Sequence, residues 1–351
     1  MIVDASSTWG LVVAIDRYDD PAIPALDSPV TSAAKAVSWL KKLGVSPEKI
    51  LVHAPESSDH LSELTDIGVD PKPATKRAID VSVSDLISDE SWAPQRLYVF
   101  LMGHGYWLDK APGRILLTQE ARAGIGPWSN LGVDDYIRAF RSCRSLREVF
   151  LFFDACSNAP FSEQQRENIA PSGLEAFAPS RPTRGQTITA CYAASQEEYA
   201  EEQGDIGARQ SVFMQRLLEL IDPDQTSRER YRYDDQNRPY LDFADLFHRH
   251  LERAVRLETE DRQSPALDLI PKHRSVVPLF TLMERVADVS QARYRQAVEK
   301  FNRRVMGEDD PLADLRLALQ HRVDLLRVRQ LHHSCLVFRD IALALRHRPA
   351  R

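Results

Sequence analysis

A thiol and an imidazole stand in matching positions in this sequence. Cys156 ends the stretch Glu148-Val-Phe-Leu-Phe-Phe-Asp-Ala-Cys156, in which Val149 to Phe153 form an unbroken apolar run. His104 follows a second such run, Leu97-Tyr-Val-Phe-Leu-Met102, and is flanked by Gly103 and Gly105. Short apolar runs of this kind read as buried strands, and residues just past the C-terminal ends of strands are where an α/β sheet presents chemistry. The two residues lie 52 positions apart. A Cys–His couple supports nucleophilic catalysis: the thiolate attacks, and the imidazole lowers the thiol pKa or takes its proton. Glycines beside His104 allow close approach of the backbone to a substrate and leave an amide to donate. Pattern alone leaves a second reading open, a buried structural thiol and a loop histidine.

The elements that must position this couple can be read along the chain. Gly10 to Ile15 predicts a first strand, followed by a polar loop from Asp16 to Asp27. Ser28-Pro29 reads as a helix start, with Ser28 as cap and Pro29 at the first helical position. Ala33, Val37, Leu40 and Leu43 keep helical spacing, and Gly44 stops the helix. Ile50 to His53 predicts a strand, residues 54–72 a loop, and residues from about 74 to 87 a helix. Arg114 to Leu117 predicts a short strand, and Val133 to Phe140 a helix leading into the Cys156 strand. Leu241 to Leu257 is amphipathic, and Ser275 to Phe280 is read as a segment that closes the sheet. This alternation predicts a mainly parallel sheet covered on both faces.

The 351 residues allow an ample core, and 43% apolar with 27% charged content is that of a globular protein. No apolar run approaches the roughly 20 residues of a membrane span, and no signal-peptide pattern opens the chain. The four cysteines, Cys143, Cys156, Cys191 and Cys335, have neither metal-ligand nor disulfide-like spacing. Cys143 and Cys191 are expected to be buried thiols, in a cytoplasmic protein. His248 and His250 face different sides of a helix, and no calcium loop of EF-hand type is visible, so no metal or other cofactor is expected. Tyr231-Arg-Tyr233 is read as an exposed loop, and nucleic acid is not expected as a partner. Residues 285–351 carry 14 Lys/Arg against 8 Asp/Glu, a net of +6, so residues 1–284 hold −12 of the chain's total of −6. A cleft in the acidic part would favour basic substrates.

The two strand exits resemble those of the caspase-like cysteine peptidases, the clan of caspases, metacaspases and their bacterial relatives. The family's local signature is an Ala-Cys motif with its His about 50 residues upstream. Trp9-Gly-Leu-Val-Val-Ala-Ile-Asp16-Arg-Tyr18 is similar to the family's first strand and its exit. Ile188-Thr-Ala-Cys-Tyr-Ala-Ala-Ser195 and Ser211-Val-Phe-Met-Gln-Arg-Leu-Leu218 resemble the strand and helix after the catalytic Cys. The resemblance implies a caspase-type three-layer α/β/α sandwich over residues 1–284. Residues 285–351 are expected to form a separate helical domain that could bind a protein partner.

The resemblance further implies a cysteine endopeptidase, with Cys156 as nucleophile and His104 as base. The amides of Gly105 and Cys156 would be the oxyanion donors. No third orienting residue is evident in the sequence. Caspases carry Gln two residues before the Cys, whereas metacaspase-like members carry Asp, and here Asp154 stands there. Asp16 is a second acidic candidate, and Glu201-Glu202 falls near the place of a caspase pocket arginine. The expected substrate is therefore a protein with Arg or Lys before the scissile bond. Residues 157–186 form a linker expected to contain processing sites, with Arg184 favoured over Arg166 and Arg181. Bacterial relatives of this kind imply a regulated protease of a stress or defence pathway. The alternative is a degenerate caspase-fold scaffold.

Overall fold

The computed structural model describes residues 5–88, 93–108, 113–122, 129–155, 185–195, 198–205, 209–223, 231–233, 239–271 and 278–281. Two compact units divide the chain, one of Met1–Arg230 with Asp242–Leu279, the other of Tyr231–Leu241 with Phe280–Arg351. The helical domain expected at 285–351 lies outside the described residues, and so does most of the linker expected at 157–186.

In the larger unit, β1 (Thr8–Ala14), β2 (Ile50–His53), β3 (Arg96–Met102), β7 (Glu148–Asp154) and β8 (Thr187–Tyr192) are parallel neighbours in the order β8-β7-β3-β1-β2. In the chain between β3 and β7 come β4 (Gly105–Leu108), β5 (Gly113–Leu117) and β6 (Asn130–Gly132), which form a separate small antiparallel sheet. Then come the two-residue strands β9 (Glu202–Gln203) and β10 (Gln210–Ser211), which pair with each other. In the other unit, which holds Tyr231–Leu241, the strands β11 (Tyr231–Tyr233) and β12 (Pro239–Asp242) pair antiparallel. A sixth strand, β13 (Ala266–Ile270), adds to β8 antiparallel at the edge of the main sheet. It closes the sheet where Ser275 to Phe280 was expected to; β14 (Pro278–Thr281) belongs to a separate three-stranded sheet with β11 and β12. Tyr231 is buried in β11 rather than exposed in a loop.

The helices are α1 (Ser28–Lys42), α2 (Leu61–Asp66), α3 (Lys76–Ser88), α4 (Val133–Ser142) and α5 (Val212–Ile221). A broken helix follows, made of α6 (Phe243–Leu246), the π-helical turn Phe247–Leu251 and α7 (Glu252–Glu258). Every residue of β1, β3 and β7 is buried, as helices on both faces require. Leu11, Val13, Val99, Leu151 and Phe153 share one core with Ile79 and Val83 of α3 and Ile137 and Phe140 of α4. On the opposite face, Trp39 of α1 meets Tyr98 and Phe100 edge-on, and Phe243 of α6 meets Phe152. The fold is thus a three-layer α/β/α arrangement on a mainly parallel sheet. Among the described residues no helix is long and apolar enough to cross a membrane. Cys143 and Cys191 are buried free thiols, as expected.

Local departures from the sequence reading have identifiable causes. The short helix α2 lies within residues 54–72, which were read as loop. Ser28 does not cap α1; Asp27 occupies the cap position, and the Ser28 hydroxyl is taken by Glu202. Ser211 does cap α5, accepting the Met214 amide at 3.2 Å.

Candidate active site

Strands β3 and β7 are paired residue for residue, Arg96 with Glu148 through Met102 with Asp154. Equal length and matched register make the two strands end together. Gly103-His104 and Ala155 therefore emerge side by side at the C-terminal edge of the sheet. The Gly103 amide donates to the Asp154 carbonyl at 3.3 Å across the exits. Gly103 adopts φ +148°, and Gly105 has no room for a side chain: a Cβ there would come within 2.9 Å of Ala155 and Phe153 and 2.6 Å of the Ile115 carbonyl. The glycines around His104 thus let β4 and β5 close against the end of β7. Cys156 follows Ala155 directly and lies outside the described residues.

His104 is 9% exposed. Its Nε2 lies 2.8 Å from the carbonyl oxygen of Pro24. A carbonyl only accepts, so Nε2 carries the proton and Nδ1 keeps a lone pair. Burial pushes the imidazole pKa below its ordinary value, against the raising effects of the Pro24 bond and of Glu202. The ring is thereby held neutral near pH 7, the form a general base needs. The main chain of His104 is fixed as well: its amide donates to the Tyr18 hydroxyl at 2.8 Å, and the two rings lie 5.3 Å apart. The His104 amide is thus already engaged.

A small cavity of about 30 Å³ opens at this edge, room for more than one water. Its wall includes His104, Ala155, Asp154, Glu202, Ser28 and Leu26. Asp154 is 6% exposed, and burial raises its carboxyl to about 7; a hydrogen bond from Ser211 lowers it and the negative Glu202 raises it. Asp154 makes no ion pair among the described residues. Glu202 reaches the cavity from β9. It is held at the N-terminus of α1, where its Oε1 accepts the Ser28 amide at 2.9 Å and the Ser28 hydroxyl. A carboxylate at that helix end is favoured electrostatically.

The structure thus brings His104, Asp154 and Glu202 together. Asp16 is not in the cavity wall. It is fully buried at the end of β1, where its Oδ2 accepts the Ser58 hydroxyl at 2.5 Å and lies 3.9 Å from Arg17. Its Oδ1 has no hydrogen-bond partner among the described residues, and burial raises its pKa. The third orienting group that the sequence did not reveal is the Pro24 carbonyl. A backbone oxygen carries no residue-type signal, and only the resulting fold displays it. Among the described residues no cluster of metal-ligating side chains occurs, and His248 and His250 are exposed on the π-helical turn.

No family model matches the chain, and no curated protein matches it. Among solved structures, the crystal structure of caspase-1 from Spodoptera frugiperda is similar, with a TM-score of 0.47 and 12% identity, covering 76% of this chain and 88% of that one. A structure of pro-sf-caspase-1 is similar with a TM-score of 0.42 and 14% identity, covering 74% of this chain and 86% of that one.

Proposed function

We propose that this chain is a caspase-like cysteine endopeptidase that cleaves protein substrates after Arg or Lys. The observation that carries the reading is the shared wall of one cavity. There His104, with its Nδ1 lone pair, stands beside the residue preceding Cys156 and beside two carboxylates with no described cation.

In this mechanism His104 Nδ1 takes the Cys156 thiol proton. The thiolate attacks the scissile carbonyl, and the amides of Gly105 and Cys156 receive the developing oxyanion, each donor contributing about 3 kcal/mol. The imidazolium then protonates the leaving amine, and water hydrolyses the thioester. The Pro24 carbonyl keeps the imidazole in one tautomer throughout. Asp154 and Glu202 receive the basic side chain before the scissile bond. Asp16, engaged by Ser58 and Arg17, supports the adjoining loop instead of touching substrate.

The test uses fluorogenic peptides ending in Arg, Lys or Asp. The Arg and Lys peptides should be cut and the Asp peptide left intact, and Cys156→Ala and His104→Ala should each abolish turnover. Hydrolysis surviving in Cys156→Ala would refute the mechanism, and efficient cleavage after Asp would refute the pocket. Self-processing is expected at Arg184; mass spectrometry should find a fragment ending there in the wild-type protein and none in Cys156→Ala.

A further inference from the structure

We infer that Arg17 is the positioning residue for His104, acting by closing the loop that supplies the imidazole's hydrogen-bond partner. The inference rests on the reading of His104 as the catalytic base.

The loop between β1 and α1 holds His104 at two points, through the Pro24 carbonyl on Nε2 and the Tyr18 hydroxyl on the amide. Two anchors hold Pro24 itself. On one side Ile23 is buried with Tyr106, Ile115 and Leu117 of the small sheet that follows His104, and with Ala121. On the other side is Arg17. Its Nη1 donates to the Leu26 carbonyl at 2.7 Å and to the Asp16 carbonyl at 3.1 Å, while Nη2 donates to Asp59 Oδ2 at 2.6 Å. The Leu26 amide also donates to the Asp16 carbonyl at 2.9 Å. The guanidinium therefore spans the neck of the loop and ties it to the segment before α2.

This work suits arginine. Several donors in one rigid plane reach two carbonyls and a carboxylate at once, which a lysine ammonium on a flexible stem cannot match. The carbonyl contacts matter more than the ion pair, because Asp59 is 77% exposed and an exposed pair contributes little. Without Arg17, the neck of the loop loses both guanidinium–carbonyl contacts and keeps the Leu26 amide bond to the Asp16 carbonyl. The Pro24 carbonyl can then drift from Nε2, and the proton is free to occupy either ring nitrogen. Displacements of about 1 Å at a catalytic group can cost about a hundredfold in rate; for a partly held loop we expect a tenfold loss, on that same scale.

The experiment compares full-length wild type, Arg17→Gln, Arg17→Lys and Asp59→Asn. Long-range proton–nitrogen spectra of ¹⁵N-histidine protein, assigned with His104→Gln, report the tautomer without requiring turnover. Wild type should show His104 protonated on Nε2 alone. Arg17→Gln should show mixed tautomers and a displaced His104 titration. Its kcat on an Arg peptide should fall about tenfold with KM within about twofold. Arg17→Lys should recover part of the loss, and Asp59→Asn should stay within about twofold of wild type. An unchanged tautomer in Arg17→Gln overturns the inference. So does an effect confined to KM, which would make Arg17 a support of the cavity wall through Leu26. If wild type shows no Cys156-dependent hydrolysis, the peptidase reading fails, and the spectra still decide whether Arg17 sets the imidazole.

Discussion

Strands β3 and β7 run side by side in register, and their two ends treat charge in opposite ways. At the N-terminal end, Arg96 and Glu148 face each other as the first pair of the register. Arg96 Nε donates to Glu148 Oε2 at 2.9 Å, the Nη2 donates to the same oxygen, and the guanidinium lies over the Phe150 ring. Both side chains are nearly buried, and each neutralises the other. At the C-terminal end, Asp154 is equally buried, yet the charged group acting on it is a second carboxylate, Glu202. Burying a charge without a counter-charge is costly, and the first end meets that cost with an ion pair while the second meets it with the hydroxyls of Ser211 and Ser28. The pair at the first end is complete within the described residues; at the second, the proposed function has a substrate cation complete it.

Breaking the two ends should therefore give opposite phenotypes. Arg96→Met strands Glu148 and should lower unfolding free energy by about 3–5 kcal/mol in chemical denaturation, leaving kcat/KM per folded molecule within about twofold. Asp154→Asn should do the reverse. Cleavage after Arg should drop roughly 10²–10³-fold, in line with the loss of one partner of a buried pair, while stability at pH 8 holds or rises. If both substitutions proved to act mainly on stability, the second end would be structural too.

The pH dependence sharpens the same contrast. The Asp154 carboxyl sits at about 7 in the folded protein and near 3.8 when unperturbed. A raised acid favours the protonated folded state, so this group's contribution to stability is present below about pH 4 and is lost as pH rises towards 7. Cation binding runs the other way, because only the ionised carboxylate pairs with a guanidinium. Calorimetry with agmatine and the Cys156→Ala protein should show affinity falling as pH drops from 8 to 6, by up to about tenfold. Using the inactive variant separates the pocket from the His104–Cys156 couple. An affinity flat over that range would remove Asp154 from the cation site. Glu202→Gln is the smallest change expected. It should weaken agmatine binding a few-fold at pH 8 and move the midpoint of the profile downward, since the like charge that raises Asp154 is gone.

Much of the framework was legible in the chain alone. The apolar runs ending at Met102 and Phe153 read as buried strands, which they are, and the Gly-His-Gly and Asp-Ala-Cys that follow them suggested a Cys–His couple. Helix α1 announced itself by periodicity, α3 and α4 were read between the strands, and α5 through the family resemblance. Strand β13 did not, because Ala266-Leu-Asp-Leu-Ile270 is short and half-buried, and periodicity is weakest there.

What only the tertiary structure decided lies at the contacts between distant segments. Ser28 has the composition of a helix cap, but its hydroxyl is drawn to Glu202, 174 residues further on, so a local preference gave way to a long-range hydrogen bond. Asp16 and Asp154 look alike in the sequence, each an acid at a strand exit; β1 delivers the first to Ser58 and Arg17, and β7 delivers the second to the cavity. The partner of His104 is a backbone carbonyl, which any residue at position 24 would possess. Side-chain types and their spacing made the strands and the groups at their exits legible, because both are local properties. Which carboxylate lines the cavity and which oxygen orients the imidazole depend on where the loops close, and that is set by packing over the whole domain.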